Sequence, residues 1–177
     1  MLFRAPAGRL PVTLYRDVSS LPSFDDYRMQ GRTYRYYTGT PIYPFGYGLS
    51  YTNFHYDSID AKRGKSDDDG VIINAMLENS GKVAGDEVAQ LYLRFPKSPG
   101  VPNLALRGFQ RVHLAAGESR TVEFRLSPRD LSSVSEQGER RVLAGDYEIT
   151  VGGGQPGTSA AGATVHFRLD HALKITD

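Results

Sequence analysis

The sequence predicts an all-β fold, an immunoglobulin-like β-sandwich of about seven short strands, preceded by an irregular, aromatic-rich strap. Three observations carry this expectation. Runs with a two-residue hydrophobic period follow one another from Phe54 to the end of the chain. Turn-forming clusters separate them. The 19 glycines and 10 prolines punctuate the chain too often for long helices. At 177 residues the chain can form one such domain with an appendage and bury a core without covalent staples.

The strap occupies residues 1–53. It has no sustained period of either 3.6 or 2.0, and prolines at positions 6, 11, 22, 41 and 44 break every candidate helix. Nine of the eleven tyrosines lie between Tyr15 and Tyr56. A segment so polar in backbone and so rich in rings reads as a docking or linker segment that needs another surface, with disorder in isolation as the alternative on composition alone. The sandwich is expected over 54–170. Val71, Ile73, Ala75 and Leu77 share one strand face; Ala89, Leu91, Leu93 and Phe95 make a second. Val122, Phe124 and Leu126 make a third, Tyr147, Ile149 and Val151 a fourth, and Val165, Phe167 and Leu169 a fifth. Phe54–Ile59 and Leu106–Leu114 are weaker candidates. The turns between them are Asn79-Ser80-Gly81, Ala116-Gly117-Glu118, Ala144-Gly145-Asp146 and Gly152-Gly153-Gly154. Tyr147 stands where a tyrosine corner would return its hydroxyl to upstream backbone. Residues 171–177 read as a tail.

Composition removes several function classes. With no cysteine there are no disulfides, thiolate nucleophiles or Cys-based metal sites. A formal net charge of +1 gives no nucleic-acid partner, and no apolar run reaches the roughly 20 residues of a membrane span. The first residues lack the apolar core of a signal peptide, which leaves localisation open. No cofactor or metal is expected. His55, His113, His166 and His171 are scattered singly, and the Asp-Asp-Asp-Gly stretch, Asp67 to Gly70, fails the calcium-loop pattern because Lys65 and Met76 stand at ligand positions. That stretch reads as an exposed acidic turn. Gly152 to Gly157 lacks the Lys-Ser/Thr of a phosphate loop and reads as a flexible connection. No G-x-S-x-G elbow occurs; Gly48-Leu49-Ser50 comes closest and reads as a glycine-rich turn packing Tyr47 and Tyr51. No catalytic residue is assigned. Two alternatives stay open: a small ester or glycoside hydrolase using His113 or His166 with a nearby Ser and Asp, and a carbohydrate-binding sandwich. The second lacks tryptophan platforms, and its tyrosines cluster in the strap.

Several strings carry a family resemblance. They are Gly31-Arg32-Thr33-Tyr34-Arg35-Tyr36, then Pro41-Ile42-Tyr43-Pro44-Phe45-Gly46-Tyr47-Gly48-Leu49-Ser50-Tyr51-Thr52-Asn53-Phe54, then Asn79-Ser80-Gly81 through Gly85-Asp86-Glu87-Val88-Ala89-Gln90-Leu91-Tyr92. Leu106-Arg107-Gly108-Phe109, Gly117-Glu118, Ala144-Gly145-Asp146-Tyr147 and Gly8-Arg9-Leu10-Pro11-Val12-Thr13 extend them. The chain thereby resembles the C-terminal part of glycoside hydrolase family 3 β-glucosidases and β-xylosidases. The resemblance implies that residues 1–53 correspond to the end of the family's α/β-sandwich domain and 54–170 to its fibronectin type III-like domain. It implies, further, that the nucleophilic aspartate beside a tryptophan, and the acid/base glutamate, lie in segments with no counterpart here. The expected role is an accessory module bracing the catalytic domains. Its partners would be those domains, or another copy of itself in a homo-oligomer, through the strap. The family is often periplasmic or secreted. The chain departs from its pattern at Arg4-Ala5-Pro6-Ala7 and in the Gly- and Ala-rich stretch after Val151-Gly152.

Overall fold

A computed structural model of the chain describes residues 6–64, 69–135 and 137–175. The strands are β1 (Phe54–Arg63), β2 (Val71–Asn79), β3 (Gly85–Arg94), β4 (Ala105–Leu114), β5 (Ser119–Leu126), β6 (Ser133–Val134), β7 (Arg140–Val142), β8 (Gly145–Gly152), β9 (Gly162–Leu169) and β10 (Leu173–Lys174). Two single helical turns, α1 (Thr33–Tyr36) and α2 (Pro128–Leu131), complete the elements with a 3-10 turn at Val18–Ser20.

Alternation becomes burial most clearly in β2. Val71, Ile73, Ala75 and Leu77 are at most 2% exposed, while the residues between them stay partly open. β2 pairs antiparallel with β1 and β5 in one sheet. The order β4-β3-β8-β9 forms the other. The inward faces of the two sheets meet over Ile73, Leu77, Leu91, Leu93, Leu114, Ile149 and Val151, each completely buried. This is an all-β sandwich, and the seven long strands among the described residues are the seven read from the sequence.

Two features depart from the sequence expectation. A third, small sheet in the order β10-β7-β6 closes one end; its strands span two or three residues, too short to express a period. Leu173 and Lys174 therefore pair with Val142 and Arg141. The strap, expected to contain no helix, forms the single turn α1 and the 3-10 turn. Prolines forbid long helices, but a single turn between Gly31 and Tyr37 contains none. Asp17 stabilises the 3-10 turn by accepting from the Ser19 N–H at 2.9 Å.

Two polar devices fix the corners. The Tyr147 hydroxyl donates to the Leu143 carbonyl at 2.9 Å and accepts from the Leu143 N–H at 3.0 Å, which is the tyrosine corner anticipated from the sequence. Burial pushes its phenol up to about 12, and the Leu143 N–H bond pulls the other way. Asn79 is wholly buried at the β2–β3 turn. Its amide donates to the Val83 and Leu114 carbonyls and its oxygen accepts from the Thr52 hydroxyl at 2.6 Å, fastening the end of the strap. Tyr147→Phe should lower stability by about 1 kcal/mol, because it leaves the part-buried Leu143 N–H and carbonyl without their partner; urea denaturation at unchanged slope is the check.

Candidate functional site

The most specific arrangement in the molecule is the seam between strap and sandwich. It is built on β3, where alternating burial fails: Ala89, Gln90, Leu91, Tyr92 and Leu93 are all buried in succession. Ala89, Leu91 and Leu93 point into the core. Gln90 and Tyr92 point the opposite way, under the strap.

The strap first pairs with itself. The Leu10 N–H donates to the Tyr47 carbonyl and the Gly46 N–H to the Leu10 carbonyl, both at 2.8 Å, and Leu14 and Tyr43 form an isolated antiparallel bridge. The doubled segment then lies on β3. Gln90 Nε2 donates to the Gly46 carbonyl at 3.2 Å and to the Gly153 carbonyl at 3.1 Å, while its oxygen accepts from the Tyr92 hydroxyl at 2.7 Å. Gly46 adopts φ 77°, and a Cβ there would stand 2.3 Å from Gln90 Oε1; only glycine allows this approach. Tyr34 stacks on Phe45 at 4.2 Å and meets Tyr92 edge-on at 6.1 Å, with its hydroxyl accepting from the Leu106 N–H at 3.0 Å. At the start of α1, Thr33 sits at φ 52°, a strained position for a β-branched residue. The Tyr15 hydroxyl holds it by accepting from its N–H at 2.7 Å.

A buried ion pair locks the other end. Arg9 Nη2 donates to Glu87 Oε2 at 2.7 Å, with side-chain exposures of 11% and 3%. Arg9 Nε also donates to the Gly153 carbonyl at 3.0 Å, and the Tyr56 hydroxyl donates to Glu87 Oε1 at 3.3 Å. Burial pushes the Glu87 carboxyl above its ordinary value, although Arg9 and Tyr56 both pull it down. Burial, then the Glu87 charge, pushes the Tyr56 phenol upward. A cleft of about 210 Å³ opens beside this pair, lined in part by Ser50, Thr52 and Thr158. The Gly152–Gly157 connection, expected to be flexible, is held here through the Gly153 N–H, which donates to Ala161, and the doubly used Gly153 carbonyl.

The outward side of the strap is different. Leu14, Tyr43 and Leu49 are 43%, 42% and 66% exposed. With Leu10 and Tyr47 they line an apolar cleft of about 530 Å³. Phe24 and Tyr27 project further, at 95% and 90% exposure.

The histidines are placed apart from this seam. His113 Nδ1 faces Asp86, which also accepts from Arg111. His166 stands exposed on β9 opposite Glu148, so the structure does not bring His113 and His166 together. His55 and His171 are exposed. Among the described residues no cluster of His, Asp or Glu could hold a metal, and no helix is long and apolar enough to cross a membrane. Asp67 and Asp68 of the acidic turn lie outside the described residues. Sequence reasoning missed Arg9, Glu87 and Gln90. The available signal was Gln90 inside the apolar run Val88 to Leu93, with Glu87 immediately before it.

The topology and residues 87–155, which match the fibronectin type III-like domain family, define the chain as carrying a domain of that class. Over most of its length the chain is similar to the C-terminal part of glycoside hydrolase family 3 enzymes. A xylan 1,4-β-xylosidase of Xylanibacter ruminicola is 38% identical over 150 residues, covering 83% of this chain and 17% of that protein. A probable β-glucosidase D of Aspergillus flavus is 38% identical over 176 residues, covering 84% and 23%. The solved structure of β-glucosidase 3B from Thermotoga neapolitana superposes with a TM-score of 0.84 at 31% identity, covering 98% of this chain and 26% of that one. The chain thus spans about a fifth of the length of the curated relatives it matches.

Two outcomes test the seam. Arg9→Met should cost about 3 kcal/mol of strap docking by leaving Glu87 buried and unpaired, read as faster hydrogen exchange at the Gly46 amide. The double change Arg9→Met with Glu87→Leu should recover most of that loss. On the outer sheet face, His113 and then Arg111 hold Asp86 below its ordinary 3.8. That contribution is present above 3.8 and is lost as pH falls through the lowered value. The urea midpoint should therefore drop more steeply below pH 3.8 in the wild type than in Asp86→Asn.

Proposed function

We propose that this chain is a non-catalytic accessory module of a family 3 exo-β-glycosidase of β-glucosidase or β-xylosidase type. On this reading the module braces the catalytic domains, which supply the aspartate and glutamate that glycoside hydrolysis requires. Residues 1–53 form the brace and 54–170 the sandwich that carries it. The observation that carries the proposal is the division of the strap into two faces. One is fixed to β3 by Gln90, Tyr92 and Arg9; the other presents Leu14, Tyr43 and Leu49 to the outside. An exposed apolar surface of this kind marks an interaction site. The similarity supports the same reading, since it runs through strap and sandwich together and covers 26% of the matched β-glucosidase.

The purified chain should leave p-nitrophenyl β-glucoside, β-xyloside and short acyl esters unhydrolysed. Turnover abolished by His113→Ala or His166→Ala would overturn the proposal and establish a small hydrolase. In the isolated chain the outward strap face should find a second copy, so sedimentation should show concentration-dependent association that Leu14→Glu with Tyr43→Glu removes.

A further inference from the structure

Three guanidinium groups from distant parts of the sequence meet beside α1. Arg107 on β4 donates through Nη2 to the Ser132 carbonyl at 3.0 Å, and Arg140 on β7 donates through Nη1 to the Ser132 hydroxyl at 3.2 Å. Ser132 is 1% exposed, so two cations are drawn onto one buried residue. Arg35 arrives on the strap. Its carbonyl accepts from the Asn103 N–H at 2.8 Å, and its neighbour Tyr34 binds the Leu106 N–H, so α1 is fastened at the end of β4 that carries Arg107. The Phe95 ring supports Arg107 from one side, 5.3 Å from centroid to Cζ.

The charges in this cluster are not balanced. Arg94, Arg111, Arg120, Arg125, Arg141 and Arg168 each face a carboxylate. Arg35, Arg107 and Arg140 form no ion pair among the described residues, and the buried Nε–H groups of Arg35 and Arg107 have no acceptor there. Burial, followed by the charge of Arg35, lowers the pKa of Arg107; Asp130 and Tyr34 act in the opposite sense. Buried donors are paired in nearly all native proteins. The unpartnered Nε–H of Arg35 and of Arg107 is a charged donor of the kind that a carboxylate oxygen satisfies.

We propose that Arg35, Arg107 and Arg140 form a carboxylate-binding site that accepts an aspartate or glutamate side chain from a protein partner. That the partner is the catalytic body rests on the functional reading above; the chemistry of the site does not. A nucleic-acid backbone is the wrong occupant, because the formal net charge is only +1 and the cluster is a single point and not a stripe. The site draws residues from strap and sandwich alike, so an occupant would also tighten their association.

The test titrates the whole chain with N-acetyl-aspartate amide, a side-chain carboxylate without backbone charges, at constant ionic strength, with inorganic phosphate in parallel. The expected result is a saturable rise in melting temperature. The Arg35 and Arg107 side-chain Nε–H resonances should move with the same midpoint. Binding should weaken about tenfold in Arg107→Gln and in Arg35→Gln, and stay unchanged in Arg120→Gln. Arg35 lies on the strap, outside the sandwich core, so its variant folds even where Arg107→Gln does not. An unsaturable response, equal binding by both variants, or a response to phosphate alone would overturn the assignment. None of these results bears on the silent glycoside panel or on strap-dependent association, so the two readings fail separately.

Discussion

β3 is hydrogen-bonded on both edges and covered on both faces, and the remaining structure is arranged around that double burial. Its edges pair with β4 and β8. Its inner face contributes Ala89, Leu91 and Leu93 to the core, and its outer face contributes Gln90 and Tyr92 to the strap. A strand in this position cannot leave a backbone or side-chain polar group unmet. Gln90 solves the problem by using its amide nitrogen on two glycine carbonyls and its oxygen on Tyr92. The strap completes the sheet's outer surface.

The Arg9–Glu87 pair shows why such a seam is specific as well as stable. Two buried ions gain little net free energy over an apolar replacement, because their desolvation offsets their attraction. Either one alone is costly. The pair therefore penalises a displaced strap more than it rewards a docked one, and shared use of the Gly153 carbonyl ties that penalty to the β8–β9 connection.

Much of the sandwich was legible because most of the long strands keep one face wet. In β2 and β5 the two-residue period translates directly into alternating burial. It disappears in β3 and the second half of β8, where Ile149 to Gly152 are buried in succession. Both faces are covered there, and a period cannot report a contact with a segment many residues away. Tyr147 was readable for the opposite reason: its partner Leu143 is four residues upstream. Arg9, Glu87 and Gln90 were illegible because their partners lie 78, 78 and 44 positions distant. The short strands β6, β7 and β10 left no pattern, and α1 was hidden by the prolines around it.

The separation between Arg9 and Gly153, 144 positions, also orders events in time. A polypeptide is made from its N-terminus, so the strap emerges well before the sheet that receives it. While β3 and β8 are still being synthesised, Tyr34, Phe45 and the Gly46 carbonyl lack Gln90 and Tyr92, on which they later rest. The strap precedes β3 and β8 in the chain yet finds its place on them only afterwards, since its docking must await closure of a loop of 144 positions. During that interval its rings are open to whatever apolar surface is nearby.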